Sequence, residues 1–79
     1  MWLFTKNFDE FKVRYSFLMG KEYEVYDVVS ERIYNAKVIG FKEEKHYNSI
    51  VCQDINNNRR ELYINENYIN INKQRYLQI

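Results

Sequence analysis

The sequence predicts an all-β domain, a small antiparallel barrel of five or six strands. Three observations carry that expectation. Apolar and polar residues alternate from Phe11 to about Ile71 with the two-residue period of half-buried strands. Short polar segments of turn chemistry break the alternation at intervals. No proline occurs in the 79 residues, while eight Tyr, five Phe and one Trp supply the rings that favour strands.

Segment 8–19 reads two ways. As a helix, Phe8, Phe11, Tyr15 and Leu18 share one face, and Asn7 with Glu10 forms a capping box. As a strand, Phe11, Val13, Tyr15, Phe17 and Met19 alternate without a miss. Phe, Val and Tyr are better strand formers than helix formers, which favours the strand. A hairpin 11–29 through Met19-Gly20-Lys21 then sets Phe17 opposite Tyr23 and Tyr15 opposite Val25. Gly20 supplies the positive φ that such a loop needs.

Segment 31–46 is read as a strand, with Tyr34, Ala36 and Val38 facing one way. Its phase slips around Gly40, the mark of a bulge or a sharp bend. A ββαββ order with a helix near 31–45 is the competing reading. Beyond the polar loop 42–48, strands follow over Ile50 to Ile55, Arg59 to Ile64 and Tyr68 to Ile71. Asn56-Asn57-Asn58 and Asn65-Glu66-Asn67 are the turns, because Asn tolerates left-handed backbone. The tail Lys73 to Ile79 is expected to pair as an edge strand, within this chain or on a partner. A chain of this length makes one domain: an N-terminal arm 1–10, a barrel 11–72 and the tail 73–79.

Residues 20–71 resemble the small-barrel families, Src-homology-3-like folds, Tudor domains and Sm-like proteins among them. The pieces that carry the likeness are Gly20-Lys21 before a Tyr/Val strand and Tyr34-Asn35-Ala36-Lys37-Val38 before the bend at Gly40. Ile50 to Asp54, the Asn-rich hairpin, Glu61 to Ile64 and Tyr68 to Ile71 complete it. The Sm-like resemblance implies a stacking residue and a base-reading Asn at Tyr47-Asn48. Asn65-Glu66 stands where the Arg-Gly of that family is expected. The Tudor resemblance implies an aromatic cage for methylated cations, with Tyr23, Tyr26, Tyr47 and Tyr63 as contributors.

A net charge of +1, with acids and bases interspersed, argues against a strong footprint for duplex DNA or anionic membrane. No apolar run approaches the roughly 20 residues of a membrane span. Met1 to Phe4 is apolar, but Lys6, Asp9 and Glu10 follow at once, so no signal peptide is read there. Cytoplasmic residence is the expectation, and the lone Cys52 fits a reducing compartment. Abundant Asn, Ile, Lys and Tyr match A/T-rich codons, which suggests a low-GC bacterium or its phage or mobile element.

Catalysis needs a tuned base, an activated nucleophile or a metal. His46 is the single histidine and lies in a charged loop, and Cys52 falls on the inward side of a strand. The two glycines, twenty residues apart, build no phosphate loop. No enzyme, cofactor or metal is therefore expected. The expected function is a non-catalytic protein-binding module, an accessory or inhibitory factor that docks through Trp2, Phe4 and Phe8. The second reading is a single-stranded RNA or DNA binder that uses Tyr47, Asn48, Arg59 and Arg60, with loops 42–48 and 56–60 meeting at one barrel end. Self-association through strand edges or the tail is a variant of the first.

Overall fold

A computed structural model describes residues 7–63, 66–72 and 75–78. The chain enters through a helix, α1 (Phe8–Tyr15), that continues into a 3₁₀ turn over Ser16–Leu18. The helix is built from its ends. Asn7 Oδ1 accepts a hydrogen bond from the Glu10 amide at 2.9 Å, which satisfies one of the orphan donors of the first turn. Asp9 and Glu10 lie in the first turn and Lys12 and Arg14 in the last, each set complementing the helix dipole. Gly20 ends the segment with φ at 77°, a left-handed conformation that costs a side-chain-bearing residue energy.

The strand reading of 11–19, and with it the hairpin 11–29, is thus overturned. Phe8, which the expected layout placed in an arm 1–10, belongs to the helix. Both patterns used Phe11 and Tyr15, and burial separates them. Phe11, Tyr15 and Leu18 are buried, whereas Val13 and Phe17 are 75 % and 50 % exposed. Two solvent-facing apolar side chains on a helix had completed the semblance of a strand.

Six strands follow: β1 (Glu22–Asp27), β2 (Arg32–Glu43), β3 (Asn48–Asp54), β4 (Arg59–Leu62), β5 (Asn67–Asn72) and β6 (Arg75–Gln78). They form one antiparallel sheet in the order β4-β3-β2-β1-β5-β6. The first four make a meander, and β5 returns to pair with β1. Residues 31–45 hold β2 rather than a helix, so the ββαββ order does not occur. The tail pairs within this chain, as β6 against β5. The sheet stays open, with β4 and β6 as its edges, so the expected closed barrel is corrected to an open sheet with a short helix.

The phase slip at Gly40 is a bulge. Val38 pairs with Cys52 and Gly40 with Val51, leaving Ile39 as the extra residue. Register then sorts the side chains. Val25, Ala36, Val38, Ile50, Cys52, Leu62 and Ile69 form a buried cluster with Phe11, Tyr15 and Leu18 of the helical segment. Phe11 meets the Tyr15 ring at 5.0 Å and the Phe41 ring at 6.1 Å, both edge-on. We call the side of the sheet under α1 the inner face. Cys52 lies there fully buried, and burial pushes its thiol up to about 11, as expected of a core residue.

Candidate functional site

The long β3 separates two ends of the sheet, and their side chains behave differently. At the β2–β3 hairpin, on the outer face, polar groups answer one another. Tyr63 Oη donates to Glu61 Oε1 at 2.6 Å, and Ser49 Oγ donates to the same oxygen at 3.4 Å. Lys42 Nζ sits 3.3 Å from Glu61 Oε2 and 3.5 Å from Glu44 Oε2. The Tyr47 ring stands edge-on to Tyr63 at 5.1 Å, and Asn67 Oδ1 accepts from the Tyr63 amide at 2.8 Å.

Register explains the clustering. Lys42 lies opposite Ser49, and Glu61 lies opposite Val51. Ser49 is fully buried and Val51 is 3 % exposed although both face away from α1, so this polar network roofs the outer side of β3. The Tyr63 hydroxyl holds the Glu61 carboxyl below its ordinary value, and Lys42 adds to the effect. The same bond, with burial second, holds the Tyr63 phenol well above its own. A phenol so held is no nucleophile, and the lysine is clasped by two carboxylates.

At the opposite end the β1–β2 and β3–β4 hairpins stand side by side. Asp27 Oδ1 accepts from the Val29 and Ser30 amides, and Asp54 Oδ1 accepts from the Asn56 and Asn58 amides at 2.9 and 3.0 Å. These Asx turns close the two loops, with Glu31 at φ 58° and Asn57 at φ 66° taking the left-handed positions. Arg60 Nε donates to Asp54 Oδ2 at 2.9 Å, and its guanidinium lies over the Tyr34 ring, 4.8 Å from the centroid. Those three hydrogen bonds, the Arg60 one foremost, lower the Asp54 carboxyl, while burial raises the Tyr34 phenol to about 12.

Apolar side chains are left outside at this end. Of the four most exposed large apolar residues among those described, Ile55 at 83 %, Val29 at 72 % and Ile33 at 61 % all stand here; Val13 on α1 is the fourth. Tyr26 pairs with Ile33 on one side and with Tyr68 on the other, so the three form a row across β2, β1 and β5. With Val28 they line an apolar hollow of about 440 Å³. A second hollow of about 630 Å³ opens between the hairpins, with Ile33, Ile55, Tyr34, Arg32, Arg60 and Asp54 in its lining. Ile33 borders both, but by the register the Tyr26, Ile33 and Tyr68 row lies on the outer face, whereas Arg32, Tyr34, Asp54 and Arg60 share the inner face with Val25 and Cys52.

The residues expected to act divide as follows. Trp2 and Phe4 lie outside the described residues. Phe8 packs half-buried against the core, with Lys12 Nζ 4.7 Å from its ring centroid. Tyr47 is 44 % exposed but Asn48 only 2 %, so the Asn edge is not available to read a base. Arg59 and Arg60 open β4, opposite Gln53 and Cys52, whereas Asn48 opens β3 at its other end. Some five strand residues, about 17 Å, separate the two pairs. The structure therefore does not bring Tyr47 and Asn48 together with Arg59 and Arg60, and loops 42–48 and 56–60 lie at opposite ends of the sheet.

Of the four cage tyrosines, Tyr47 and Tyr63 meet, Tyr26 instead neighbours Tyr68 at 6.4 Å, and Tyr23 packs on the core. His46 is exposed in its loop. Among the described residues no three His, Cys, Asp or Glu side chains are grouped to hold a metal ion, and no helix is long and apolar enough to cross a membrane.

Sequence reasoning missed the Ile33 surface. Its signal was the placement of Val28, Val29 and Ile55 within turn segments, where polar residues are the rule. No family model, curated protein or solved structure matches this chain.

Proposed function

We propose that this chain is a protein-binding module and that its docking face is the outer-face surface centred on Ile33, with Tyr26, Val28 and Tyr68 around it. One observation carries the reading: the most exposed apolar side chains of the sheet gather at one end and join the Tyr26, Ile33 and Tyr68 row. Contiguous apolar surface left in water marks interaction sites, and aromatic anchors are among the residues that interfaces favour. This face is preferred to Phe8, which packs against the core, while Trp2 and Phe4 lie outside the described residues. The module works by covering a partner's surface, as an accessory or inhibitory factor does. Kinship with Tudor or Sm-like small barrels stays a proposal, supported by the meander and by the bulge beside Gly40.

Selection of displayed random peptides on the whole chain tests the face. Sequences rich in aromatic and branched aliphatic residues are expected to be enriched. Ile33→Asp is expected to weaken their retention about tenfold or more while leaving thermal melting unchanged. Enrichment indifferent to Ile33→Asp removes this face as the docking site. A dimer seen by analytical ultracentrifugation and dissociated by Ile33→Asp would identify the partner as a second copy of the chain.

A further inference from the structure

The outer-face row of Tyr26, Ile33 and Tyr68 is apolar, and the positions bordering it on the same face decide which charge can dock beside it. Toward the β1–β2 turn the ladder of β1 and β5 continues one step past Tyr26 and Tyr68, where the Val28 amide donates to the Glu66 carbonyl at 2.9 Å. The two-residue period therefore sets Glu66 beside Val28 on the outer face, at the rim of the hollow of about 440 Å³. In the other direction along β1, Glu24 lies between two neutral residues, Asn35 and Asn70, and accepts from Asn70 Nδ2 at 3.1 Å. Glu31 stands in the turn two residues before Ile33. Glu31 and Glu66 are both exposed.

The cations are placed elsewhere. Arg32 lies opposite Asp27 and Arg60 is bonded to Asp54, both on the inner face. Lys37 shares the outer face but sits four residues along β2 from Ile33, opposite Glu22. Arg59 lies beyond β3, opposite Gln53, and Arg75 pairs with Asn72 at the far end of β5. No ion pair among the described residues involves Glu31 or Glu66. The border of the apolar row is thus acidic, and it lies on the same face as the row.

We propose that the partner segment carries a Lys or Arg side chain next to an aliphatic residue. The aliphatic group fills the hollow among Tyr26, Val28, Ile33 and Tyr68, and the cation meets Glu66, with Glu31 adding to the attraction. The inference rests on the protein-docking reading of the Ile33 surface and adds the charge of what docks. Exposed ion pairs each contribute little, so the apolar group supplies most of the affinity. The carboxylates set the orientation of the segment and repel an acidic one.

The test repeats the peptide-display selection on the whole chain, on Ile33→Asp and on the double variant Glu31→Gln with Glu66→Gln. Peptides selected on the unaltered chain are expected to carry Lys or Arg within two positions of an aliphatic residue. The double variant is expected to keep the apolar enrichment and lose the basic one. One selected peptide is then titrated by fluorescence anisotropy beside versions whose basic residue is replaced by Gln or by Glu. It is expected to bind about fivefold more tightly than the Gln version, with the Glu version weakest. That gap is expected to shrink to about twofold or less in Glu66→Gln, and likewise at about 0.5 M salt. Glu66→Gln carries the comparison if Glu31→Gln loosens the turn, because Glu66 bonds in the fold through its backbone.

Apolar sequences without a basic bias, lost on Ile33→Asp, overturn the cation and leave the docking face standing. A bias toward Asp or Glu overturns it as well, as does a basic bias that persists in Glu66→Gln and in the double variant. Enrichment indifferent to Ile33→Asp, or no enrichment of any sequence, overturns the docking face itself.

Discussion

The two ends of the sheet contain the same kinds of residue in opposite states. At the β2–β3 hairpin, Lys42, Glu44, Glu61, Tyr63 and Ser49 bond to one another and cover Val51. At the paired hairpins, Asp27 and Asp54 are bound into turns, while Ile33, Val29 and Ile55 stand in water. A cluster whose charges are answered internally stabilises the fold and offers a partner little. A surface whose apolar groups are unanswered costs the isolated chain solvation and offers a partner area to bury. Charge and aromatic content do not separate the two ends; satisfaction of the groups does.

The contrast breaks first at Glu61. Glu61→Ala removes the acceptor of Tyr63 and Ser49 and one partner of Lys42, so it is expected to cost about 1–3 kcal/mol in urea unfolding. Peptide binding at the Ile33 surface should not change. Tyr63→Phe deletes one donor and keeps the ring against Tyr47, with an expected cost of about 1 kcal/mol by the same measurement. Acid titration sharpens the point. The folded state holds the Glu61 and Asp54 carboxyls below their ordinary values, so folded molecules bind fewer protons there than unfolded ones. Their contribution is complete above the ordinary carboxylate range near pH 4 and is lost as pH falls through the lowered folded values. Melting followed against pH should show that fall, and Glu61→Ala should make it shallower. The smallest effect on stability is expected at the other end, where Ile33→Asp and Ile55→Ser should shift unfolding by no more than about 0.5 kcal/mol, as exposed positions do.

Much of the sheet was legible because strand alternation survives wherever one face is buried. The bulge beside Gly40, the Asn57 turn and the inward Cys52 follow from period and turn chemistry, whereas the choice of the tail to pair within the chain rather than on a partner does not. The helix was obscured by Val13 and Phe17, apolar residues that α1 leaves in solvent. The side-chain cap from Asn7 is worth about 1 kcal/mol and left only a short local sign in the sequence. The docking face was harder still. Ile33, Tyr26 and Tyr68 are far apart along the chain and become neighbours only through the β2-β1-β5 order, which no local pattern states. The separation of Tyr47 and Asn48 from Arg59 and Arg60 was set by topology too, since both loops flank one strand and must leave it at opposite ends.

The most direct test of the docking face is the amide correlation spectrum of the whole chain titrated with a peptide selected by display on it. Shifts are expected at residues 26–34, at 54–60 and at Tyr68, with residues 42–49, Glu61 to Tyr63 and α1 unmoved. Shifts centred on the Lys42, Glu61 and Tyr63 cluster, or on α1, would contradict the account.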